Sequence, residues 1–454
     1  MLYFREKELG ILDRFNNTDG HKACAVYGRR RTGKTELLLT YIREHYSGHS
    51  VYYQCTGYDY STCLGDFKSA LQAEFPGDSI LDSLNTFKDV FTYIEKVSRN
   101  SLLIVIDEFP FLCKRNDDVA VEFQWIIDHA LGSSKLVLLG SNLSFMKRQI
   151  NEQESPLYGR FSEIIEVRPF TFDEVHQLFK NFEDAVDVYA QTGGVAQYVM
   201  MFSEFGSVRE ATDALFMDRD GRLFQEAHNL LMQELRDITT YVSILRVLAL
   251  GEKDSGQIAS KAGIDPRGIF SYMAKLMDLE IVTTVENAFS RKKHDRRYRI
   301  KDNMFRFSYA FIEPNISMIN SIGPKAGPYI LNDAYKEYLG FVYEDIIRDA
   351  CFEYALQKRI PFMPITVGKW WGNVKDKKGW HESEVDLIAF DDKNVIIGEC
   401  KFRNKLVGIS ELDKLKTKAQ FIPLGDRTVY YLLASKSGFT NEVKDRDVIL
   451  IEKA

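Results

Sequence analysis

The chain has 454 residues, a formal net charge of −6 and six cysteines without C-x-x-C spacing. This length predicts about three domains, and the acidic balance excludes a protein that is basic over its whole surface. The cysteine spacing gives neither a zinc site nor a disulfide framework. Because no apolar run approaches the roughly 20 residues of a membrane span and the N-terminus is charged too early for a signal peptide, we expect a cytoplasmic protein with no membrane partner.

The strongest motif lies at residues 28–35, where an apolar run at 24–27 meets a helical pattern at 36–43. The motif has the form G-x-x-x-x-G-K-[ST], and a strand before it with a helix after it is the context of a phosphate-binding loop. Backbone N–H groups and the helix N-terminus favour phosphate binding there. We expect Lys34 to contact the β- and γ-phosphates of ATP and Thr35 to bind Mg²⁺. The predicted nucleotide site comprises Gly28, Arg29, Arg30, Arg31, Thr32, Gly33, Lys34 and Thr35.

Two acids follow a second apolar run, at residues 102–106. A central parallel strand has this pattern when its carboxyl end meets a ligand. We expect Asp107 to hold Mg²⁺ through water and Glu108 to act as the general base for hydrolysis. Ser141 follows a further predicted strand at 135–140 and either senses the γ-phosphate or forms a simple turn. Arg160 is either an arginine finger, in cis or toward a neighbouring subunit, or a solvated arginine.

These segments together resemble the archaeal-type ATPases, a branch of the AAA+/STAND-like P-loop ATPases. The matching pieces are the opening at 4–9, the loop at 28–35, Asp107-Glu108, Gly140-Ser141 and the Gly193-Gly194 break. The resemblance implies an α/β P-loop NTPase core at 1–170, with a parallel sheet of the ASCE type, and a helical lid at 171–236. It also implies that Phe4 and Arg5 lie near the adenine.

Residues 237–312 have the pattern of a winged helix-turn-helix. Three predicted helices precede two predicted strands, at 281–285 and 297–300, which is the order of this module. A basic block lies around the hairpin and suits contacts with DNA phosphates. We expect DNA to contact Arg291, Lys292, Lys293, Arg296 and Arg297. Winged helices also serve as protein-interaction or packing modules, and both interpretations stay open.

Pro314, Gly323-Pro324 and Gly327-Pro328 predict a linker at 313–330. The last predicted domain spans 331–454 and contains two strands, at 384–390 and 395–401, around a turn at 391–394.

A symmetric turn pairs Phe390 with Val395, so Asp386 faces Glu399 and Glu384 faces Lys401. Two opposed carboxylates repel each other, which favours a bound divalent cation, Mg²⁺ or Mn²⁺. Lys401 could position or deprotonate water, and Glu344, from a helix predicted at 335–347, could complete the site. The alternative is an exposed hairpin with ordinary salt bridges.

The pattern Asp386…Glu399-x-Lys401, after a helix that carries Glu344, resembles the PD-(D/E)XK restriction-endonuclease-like α/β fold. The segments at 370–372 and 398–402 resemble a domain of unknown function that accompanies archaeal-type ATPases. The first resemblance implies metal-dependent phosphodiester cleavage.

The leading hypothesis is therefore an ATPase whose nucleotide state controls DNA binding and Mg²⁺-dependent DNA cleavage. The alternative is a non-catalytic ATP switch that binds DNA or a protein partner through the winged helix and a degenerate nuclease fold. An oligomer is compatible with both hypotheses. A small-molecule kinase is less favoured, because an Asp-Glu pair suits hydrolysis by water.

Overall fold

A computed structural model describes residues 2–57, 59–98, 101–114, 118–290, 296–376 and 379–453. Two compact units comprise the chain: unit 1 is Met1–Phe170 with Val195–Met200, and unit 2 is Thr171–Gly194 with Met201–Ala454. Within the described residues, no helix has both the length and the apolar character needed to cross a membrane.

Unit 1 is built on a five-stranded parallel sheet. Its strands are β1 (Ala23–Tyr27), β2 (His49–Gln54), β3 (Leu102–Asp107), β4 (Lys135–Gly140) and β5 (Glu163–Glu166). They lie in the order β2-β3-β4-β1-β5. Every residue of β3 and β4 is buried, as expected for apolar strands covered on both faces. Because β4 lies between β1 and β3, the residue that follows β4 reaches both the phosphate loop and the acids.

Eight helices accompany this sheet in the described part of residues 1–170. They are α1 (Glu6–Asn17), α2 (Lys34–Thr40), α3 (Tyr60–Leu71), α4 (Ser79–Ser83), α5 (Phe87–Val97), α6 (Phe109–Cys113), α7 (Asp118–His129) and α8 (Leu143–Asn151). A π-helical turn, Tyr41–His45, extends α2. Buried aromatic side chains of α3, α5 and α7, among them Phe67, Phe91 and Phe123, form most of the core beside β2 and β3.

The segment predicted as a helical lid is helical. It contains α9 (Phe172–Leu178), α10 (Phe182–Thr192), α11 (Ala196–Phe202), α12 (Val208–Leu215) and α13 (Glu226–Glu234). Helix α10 ends at Gly193, whose φ of +61° is followed by +73° at Gly194. Both values lie in the left-handed region that favours glycine, so the Gly-Gly break marks a real change of chain direction.

The order of a winged helix follows in unit 2. Its elements are α14 (Thr239–Ala249), α15 (Ser255–Ala262), α16 (Ile269–Asp278), β6 (Val282–Val285) and β7 (Arg297–Ile300). Strands β6 and β7 pair in antiparallel register.

The segment predicted as a linker is helical instead. After α17 (Asn303–Phe307) and a π-helical turn at Ser308–Ile312 come short helices: Glu313–Asn315, α18 (Ile316–Ile322), Gly323–Ala326 and α19 (Gly327–Ile330). Pro314, Pro324 and Pro328 each lie in the first turn of one of them. Proline is tolerated in a first turn because its missing N–H would have no helical partner there, so the three prolines begin helices.

The rest of unit 2 holds a mixed five-stranded sheet. Its elements are α20 (Asp333–Asp349), α21 (Cys351–Leu356), β8 (Thr366–Asp376), β9 (Gly379–Phe390), β10 (Asn394–Lys401), α22 (Ile409–Ala419), β11 (Thr428–Ser435), α23 (Asn441–Lys444) and β12 (Ile449–Glu452). The strand order is β12-β11-β10-β9-β8. Strand β9 is antiparallel to both of its neighbours, β8 and β10, whereas β10, β11 and β12 are parallel. Phe390 pairs with Val395 and Ile388 with Ile397, as the turn predicted.

The segment after β6 joins this sheet at its edge. The N–H of Ala288 donates to the carbonyl of Lys369 over 2.8 Å, and the ring of Phe289 stacks on Phe390 with centroids 5.1 Å apart. An edge strand exposes unpaired backbone groups that natural proteins cover. One end of the winged-helix hairpin is therefore packed against β8.

Candidate functional site

The phosphate loop is shaped by close packing between β1 and α2. A Cβ on Gly28 would lie 2.3 Å from the carbonyl oxygen of Val167, and Gly33 has a φ of +91°. Only glycine satisfies both conditions without strain. The Thr32 hydroxyl donates to the Arg29 carbonyl over 2.9 Å, which closes the loop on itself.

Lys34 is the buried cation of this loop. Its Nζ donates to the Arg29 carbonyl over 2.7 Å, and burial lowers the pKa of Lys34 to about 8, although Glu108 and Asp107 oppose the change. A cation that is poorly solvated by the protein gains most from an anionic partner. Since residues 28–35 contain no acid, the loop fits a polyphosphate.

The hydroxyl and carboxylate predicted to hold Mg²⁺ meet. Thr35 Oγ1 donates to Asp107 Oδ2 over 2.8 Å, and the Tyr52 hydroxyl donates to the same oxygen. The N–H of Glu108 donates to Asp107 Oδ1 over 2.7 Å. An alcohol and a carboxylate oxygen are ligands that Mg²⁺ accepts, so this pair fits the cation.

Glu108 and Ser141 are also brought together. Ser141 Oγ lies 2.7 Å from Oε1 and 2.8 Å from Oε2 of Glu108. Glu108 has a φ of +55°, a conformation that is rare for residues other than glycine and clusters at functional sites. The serine therefore orients the carboxylate that was predicted as the general base.

Arg5 and Phe4 hold the N-terminus against the loop. The buried Arg5 guanidinium donates to the carbonyls of Thr32 (3.1 Å) and Arg168 (2.8 Å), and it lies 5.0 Å from the Phe170 ring centroid. Phe4 meets the same ring edge-on at 5.4 Å. These contacts position the loop backbone, and the adenine contact stays a prediction.

Arg160 has a carboxylate partner away from the phosphate loop. Its guanidinium lies 3.0 Å from Asp128 on α7 and is 27% exposed. A role as an arginine finger would require this ion pair to open, and that role stays a prediction.

The second site lies at the carboxyl end of β10, beside Asp386 within β9, in unit 2. Asp386 is buried and accepts the N–H of Cys400 at 2.9 Å. Lys401 Nζ lies 2.6 Å from Glu399 Oε1 and 3.9 Å from Asp386 Oδ2. Lys418, from α22, donates to Glu399 Oε2 over 2.8 Å. Two ammonium groups thus relieve the repulsion from which the sequence predicted a metal ion.

The pKa shifts follow from this arrangement. Burial and the charge of Glu399 raise the pKa of Asp386. Burial also acts to raise the pKa of Glu399, but Lys401 and Lys418 outweigh it and the net pKa is lowered. For Lys401, burial opposes the charged form, but Glu399 and Asp386 outweigh it and raise the pKa. This arrangement favours the protonated form of Lys401, which donates to Glu399; the prediction that Lys401 could deprotonate water stays a prediction.

Glu344 does not join Asp386 and Glu399 as a metal ligand. Its Oε2 lies 3.2 Å from Lys369 and 3.7 Å from Arg348, and burial, with the charge of Asp386, raises its pKa to about 8. Among the described residues, no group of three or more His, Cys, Asp or Glu side chains is placed to hold a metal ion. The three predicted carboxylates thus do not form one metal site, because lysine and arginine side chains form salt bridges with them.

Lys401 also does not contact Glu384. It binds Glu399 and Asp386 instead, while Glu384 is exposed and pairs in register with Trp371 on β8.

The described cations of the winged-helix hairpin are engaged within unit 2. Arg296 lies 2.7 Å from Glu286. Arg297 pairs with Glu382 and lies 4.5 Å from the Trp371 ring centroid. The other three predicted DNA contacts, Arg291, Lys292 and Lys293, lie outside the described residues. Both described side chains therefore have carboxylate partners, and contact of the hairpin with DNA stays a prediction.

Comparison with known proteins agrees with the first site. Residues 2–202 match the family described as an ATPase domain predominantly from Archaea. The N-terminal part of the chain is therefore similar to this ATPase family. Residues 308–417 match a family described as archaeal and bacterial proteins of unknown function. That description names no activity, so the nuclease-like character of the C-terminal domain stays a prediction from its motif.

Individual proteins resemble larger parts of the chain. An uncharacterized protein of Methanocaldococcus jannaschii is 28% identical over 456 residues, which is 96% of each chain. A Walker-type ATPase of Pyrococcus abyssi has a TM-score of 0.52 and 19% identity, over 68% of this chain and 96% of that one. The ORC2 protein of Aeropyrum pernix has a TM-score of 0.45 and 15% identity, over 70% and 94%. The Pyrococcus structure supports the P-loop NTPase fold of the ATPase domain.

Sequence reasoning missed two contributions to the ATPase site. Tyr52, whose hydroxyl binds Asp107, is one of two tyrosines in β2 and carries no motif. Residues 195–200 return to unit 1, where the N–H of Gln197 donates to the Arg31 carbonyl over 3.1 Å and the Tyr198 ring lies 5.6 Å from the Arg31 guanidinium. In the sequence, the Gly-Gly break just before this segment was the signal that could have indicated this return of the chain to unit 1.

Proposed function

We propose that this ATPase uses its nucleotide state to control a metal-dependent phosphodiesterase site in its C-terminal domain, with DNA as substrate. One observation carries the proposal. The Lys401 ammonium group lies within 4 Å of both the Asp386 and the Glu399 carboxylates, at the carboxyl end of β10. Two carboxylates beside a protonated lysine suit the cleavage of a phosphodiester, because the lysine can neutralise charge that develops on the phosphate.

At the first site, each residue has a separate task. Lys34 and the loop N–H groups bind the phosphates, and Thr35 with Asp107 holds Mg²⁺. When bound, ATP with Mg²⁺ supplies the phosphoanhydride bond that water cleaves. Glu108 takes the proton of that water, and Ser141 keeps its carboxylate in place, as their 2.7 Å hydrogen bond supports.

At the second site, Asp386 and Glu399 would hold Mg²⁺ or Mn²⁺, since oxygen ligands favour these ions. The ion would supply Lewis-acid polarisation of a phosphate oxygen. The Cys400 N–H fixes the Asp386 carboxylate, and Lys401 stays protonated and donates a hydrogen bond to the substrate. Lys418 holds the second oxygen of Glu399.

One observation favours a second candidate function. Both oxygens of Glu399 are taken by lysines, so a cation must compete with two ammonium groups. If the two lysines keep both oxygens of Glu399 and exclude the metal ion, the site is non-catalytic. The protein would then be an ATP switch that binds DNA or a protein partner through its winged helix and a degenerate nuclease fold.

The test compares cleavage of supercoiled and linear DNA, with and without ATP, in Mg²⁺, Mn²⁺ or EDTA. The variants are Lys34→Ala, Lys401→Ala and a matched control, Lys336→Ala, whose side chain is 77% exposed on α20. We expect the parent and the control to cut, Lys401→Ala to be inactive and Lys34→Ala to lose the response to ATP. Equal cutting by Lys401→Ala refutes the phosphodiesterase site, and ATP-dependent DNA binding without cleavage supports the switch.

A further inference from the structure

Unit 2 contains a cavity of about 190 Å³ beside the second site. It lies among the turn after α14, strand β7, helix α20 and the two strands β8 and β9. Three carboxylates contribute to its lining, but the cations outnumber them: Lys253, Arg297, Arg299, Arg306 and Lys369. A concave site with excess positive charge attracts anions.

Arg306 shows most directly that the cavity lacks an acceptor. This side chain is only 6% exposed, yet its nearest carboxylate oxygen, on Asp345, is 3.9 Å away. Its other neighbours are the ring faces of Tyr338 and Phe341, at 5.3 and 5.4 Å. Among the described residues, its guanidinium has no hydrogen-bond acceptor. Buried N–H donors are normally satisfied, and arginine carries five of them.

Asp345 cannot satisfy this arginine because it already serves two others. Arg299 and Arg348 both pair with the same carboxylate at closer range than Arg306 does. Three guanidinium groups therefore share the Asp345 carboxylate, and of these Arg348 also lies 3.7 Å from Glu344. A buried cluster with this imbalance gains from a further anion.

Lys253 is a second cation without a carboxylate among the described residues. Its Nζ donates only to the backbone carbonyl of Glu252, over 3.0 Å. Burial lowers the pKa of Lys253, and the charges of Lys261 and Arg297 lower it further, while the more weakly acting charges of Glu252 and Glu382 oppose the change. Two backbone hydrogen bonds to Tyr298, of 3.1 and 2.7 Å, fix the position of the lysine beside β7.

The cavity adjoins the carboxylates of the second site along β9. Glu384 lines it and precedes Asp386 by two strand residues, which corresponds to about 7 Å. Lys369 also lines the cavity and lies 3.2 Å from Glu344. The volume equals about six water molecules, enough for a phosphate group and some of its hydration.

We propose that this cavity is a phosphate subsite, which holds a backbone phosphate of a DNA strand next to the phosphodiester bond on which Asp386 and Glu399 would act. The inference rests on the proposed function, because it assumes that the second site receives DNA. Arg306 and Lys253 bind the phosphate oxygens, and Arg299 and Lys369 supply further positive charge. None of these four residues is among the five that were predicted to contact DNA.

The test measures DNA binding rather than cleavage. Fluorescence anisotropy of a labelled duplex is followed in EDTA over a range of salt concentrations, for the parent, Lys253→Ala, Arg306→Lys and the control Lys336→Ala. We expect Lys253→Ala to weaken binding about five- to tenfold and to reduce the slope of log K against log[salt] by about 0.9, the value for one phosphate. Arg306→Lys keeps the charge but loses the planar fork, so we expect weaker binding with an unchanged slope.

A second measurement distinguishes a small anion from DNA. Inorganic phosphate should raise the melting temperature of the parent more than that of Lys253→Ala. If phosphate does so while both substitutions leave DNA binding unchanged, the cavity holds a small anion and the DNA subsite is refuted. The subsite is also refuted if Lys253→Ala and Lys336→Ala have equal affinities and slopes, or if the parent binds no DNA. Failure to cleave DNA, with the Lys253 effect on binding intact, counts against the phosphodiesterase alone.

Discussion

Burial of the charged Lys34 destabilises the nucleotide-free fold, and nucleotide binding should remove this destabilisation. Its Nζ contacts a backbone carbonyl, and burial lowers its pKa to about 8, whereas an unfolded lysine titrates near 10.4. Each pKa unit corresponds to 1.36 kcal/mol, so keeping Lys34 charged costs the nucleotide-free protein about 3 kcal/mol near pH 7.

Lys34→Met keeps a stem of similar length and removes the charge. Without nucleotide, we expect the variant to be more stable than the parent at pH 7, by up to about 3 kcal/mol. Between pH 8 and about 10.4 the unfolded parent binds more protons than the folded parent does, so the stability of the parent rises with pH. The advantage of the variant should therefore shrink through this window.

Hydrogen exchange of peptides from β1 and β4 can measure this difference. Parent and variant are compared at matched pH values from 7 to 10, so that the intrinsic pH dependence of exchange cancels in their ratio. Lys336→Met, at an exposed site, is the control and should follow the parent. The reasoning would be refuted if the ratio of the parent's exchange rate to the variant's did not change with pH, or if the variant were less stable than the parent at pH 7. ATP should bind the parent more weakly above pH 8, because its phosphates favour the protonated lysine.

Three further substitutions test the sites. Glu108→Gln should bind ATP as the parent does but release phosphate about 10²- to 10⁴-fold more slowly; unchanged release in a phosphate assay would exclude Glu108 as the base. Lys418→Ala should raise the pKa of Glu399 and move the acid limb of the DNA-cleavage pH profile upward, whereas Lys401→Ala should abolish cleavage at every pH; cleavage by Lys401→Ala at the rate of Lys418→Ala would contradict this. Gly28→Ala places a Cβ 2.3 Å from the Val167 carbonyl, so ATP affinity should fall at least tenfold while circular dichroism stays unchanged, and parent-like affinity would show that the loop tolerates the shift.

The sequence predicted those features that depend on local pattern. The register of β9 and β10 followed from a four-residue turn, because the Asp391 carboxylate accepts the N–H groups of Lys393 and Asn394 and fixes that turn. The phosphate loop followed from glycines at two positions where the backbone allows no other residue without strain. Both signals lie within a few residues of the feature that they specify.

Features that depend on distant segments could not be predicted in this way. Lys418 reaches Glu399 from a helix, and its spacing in the sequence gives no sign of that contact. Tyr52 reaches Asp107 from a neighbouring strand. The three prolines at 313–330 fit a linker and a first helical turn equally well, and only the packing of unit 2 selects the helices.

The salt dependence of DNA binding decides between the hairpin and the cavity. If Arg291, Lys292, Lys293, Arg296 and Arg297 all contacted phosphates, the slope of log K against log[salt] would approach −4.5 on duplex DNA. Arg296 and Arg297, however, already have carboxylate partners, and an ion pair within the protein must break before either cation can release a counterion from DNA. Lys253 carries no such cost, Arg306 has only the 3.9 Å contact with Asp345, and the one phosphate that the cavity holds gives a slope near −0.9. A slope near −0.9 that is unaffected by Arg297→Ala would place the main electrostatic contact in the cavity, and a slope near −4.5 that falls with Arg297→Ala would place it in the hairpin.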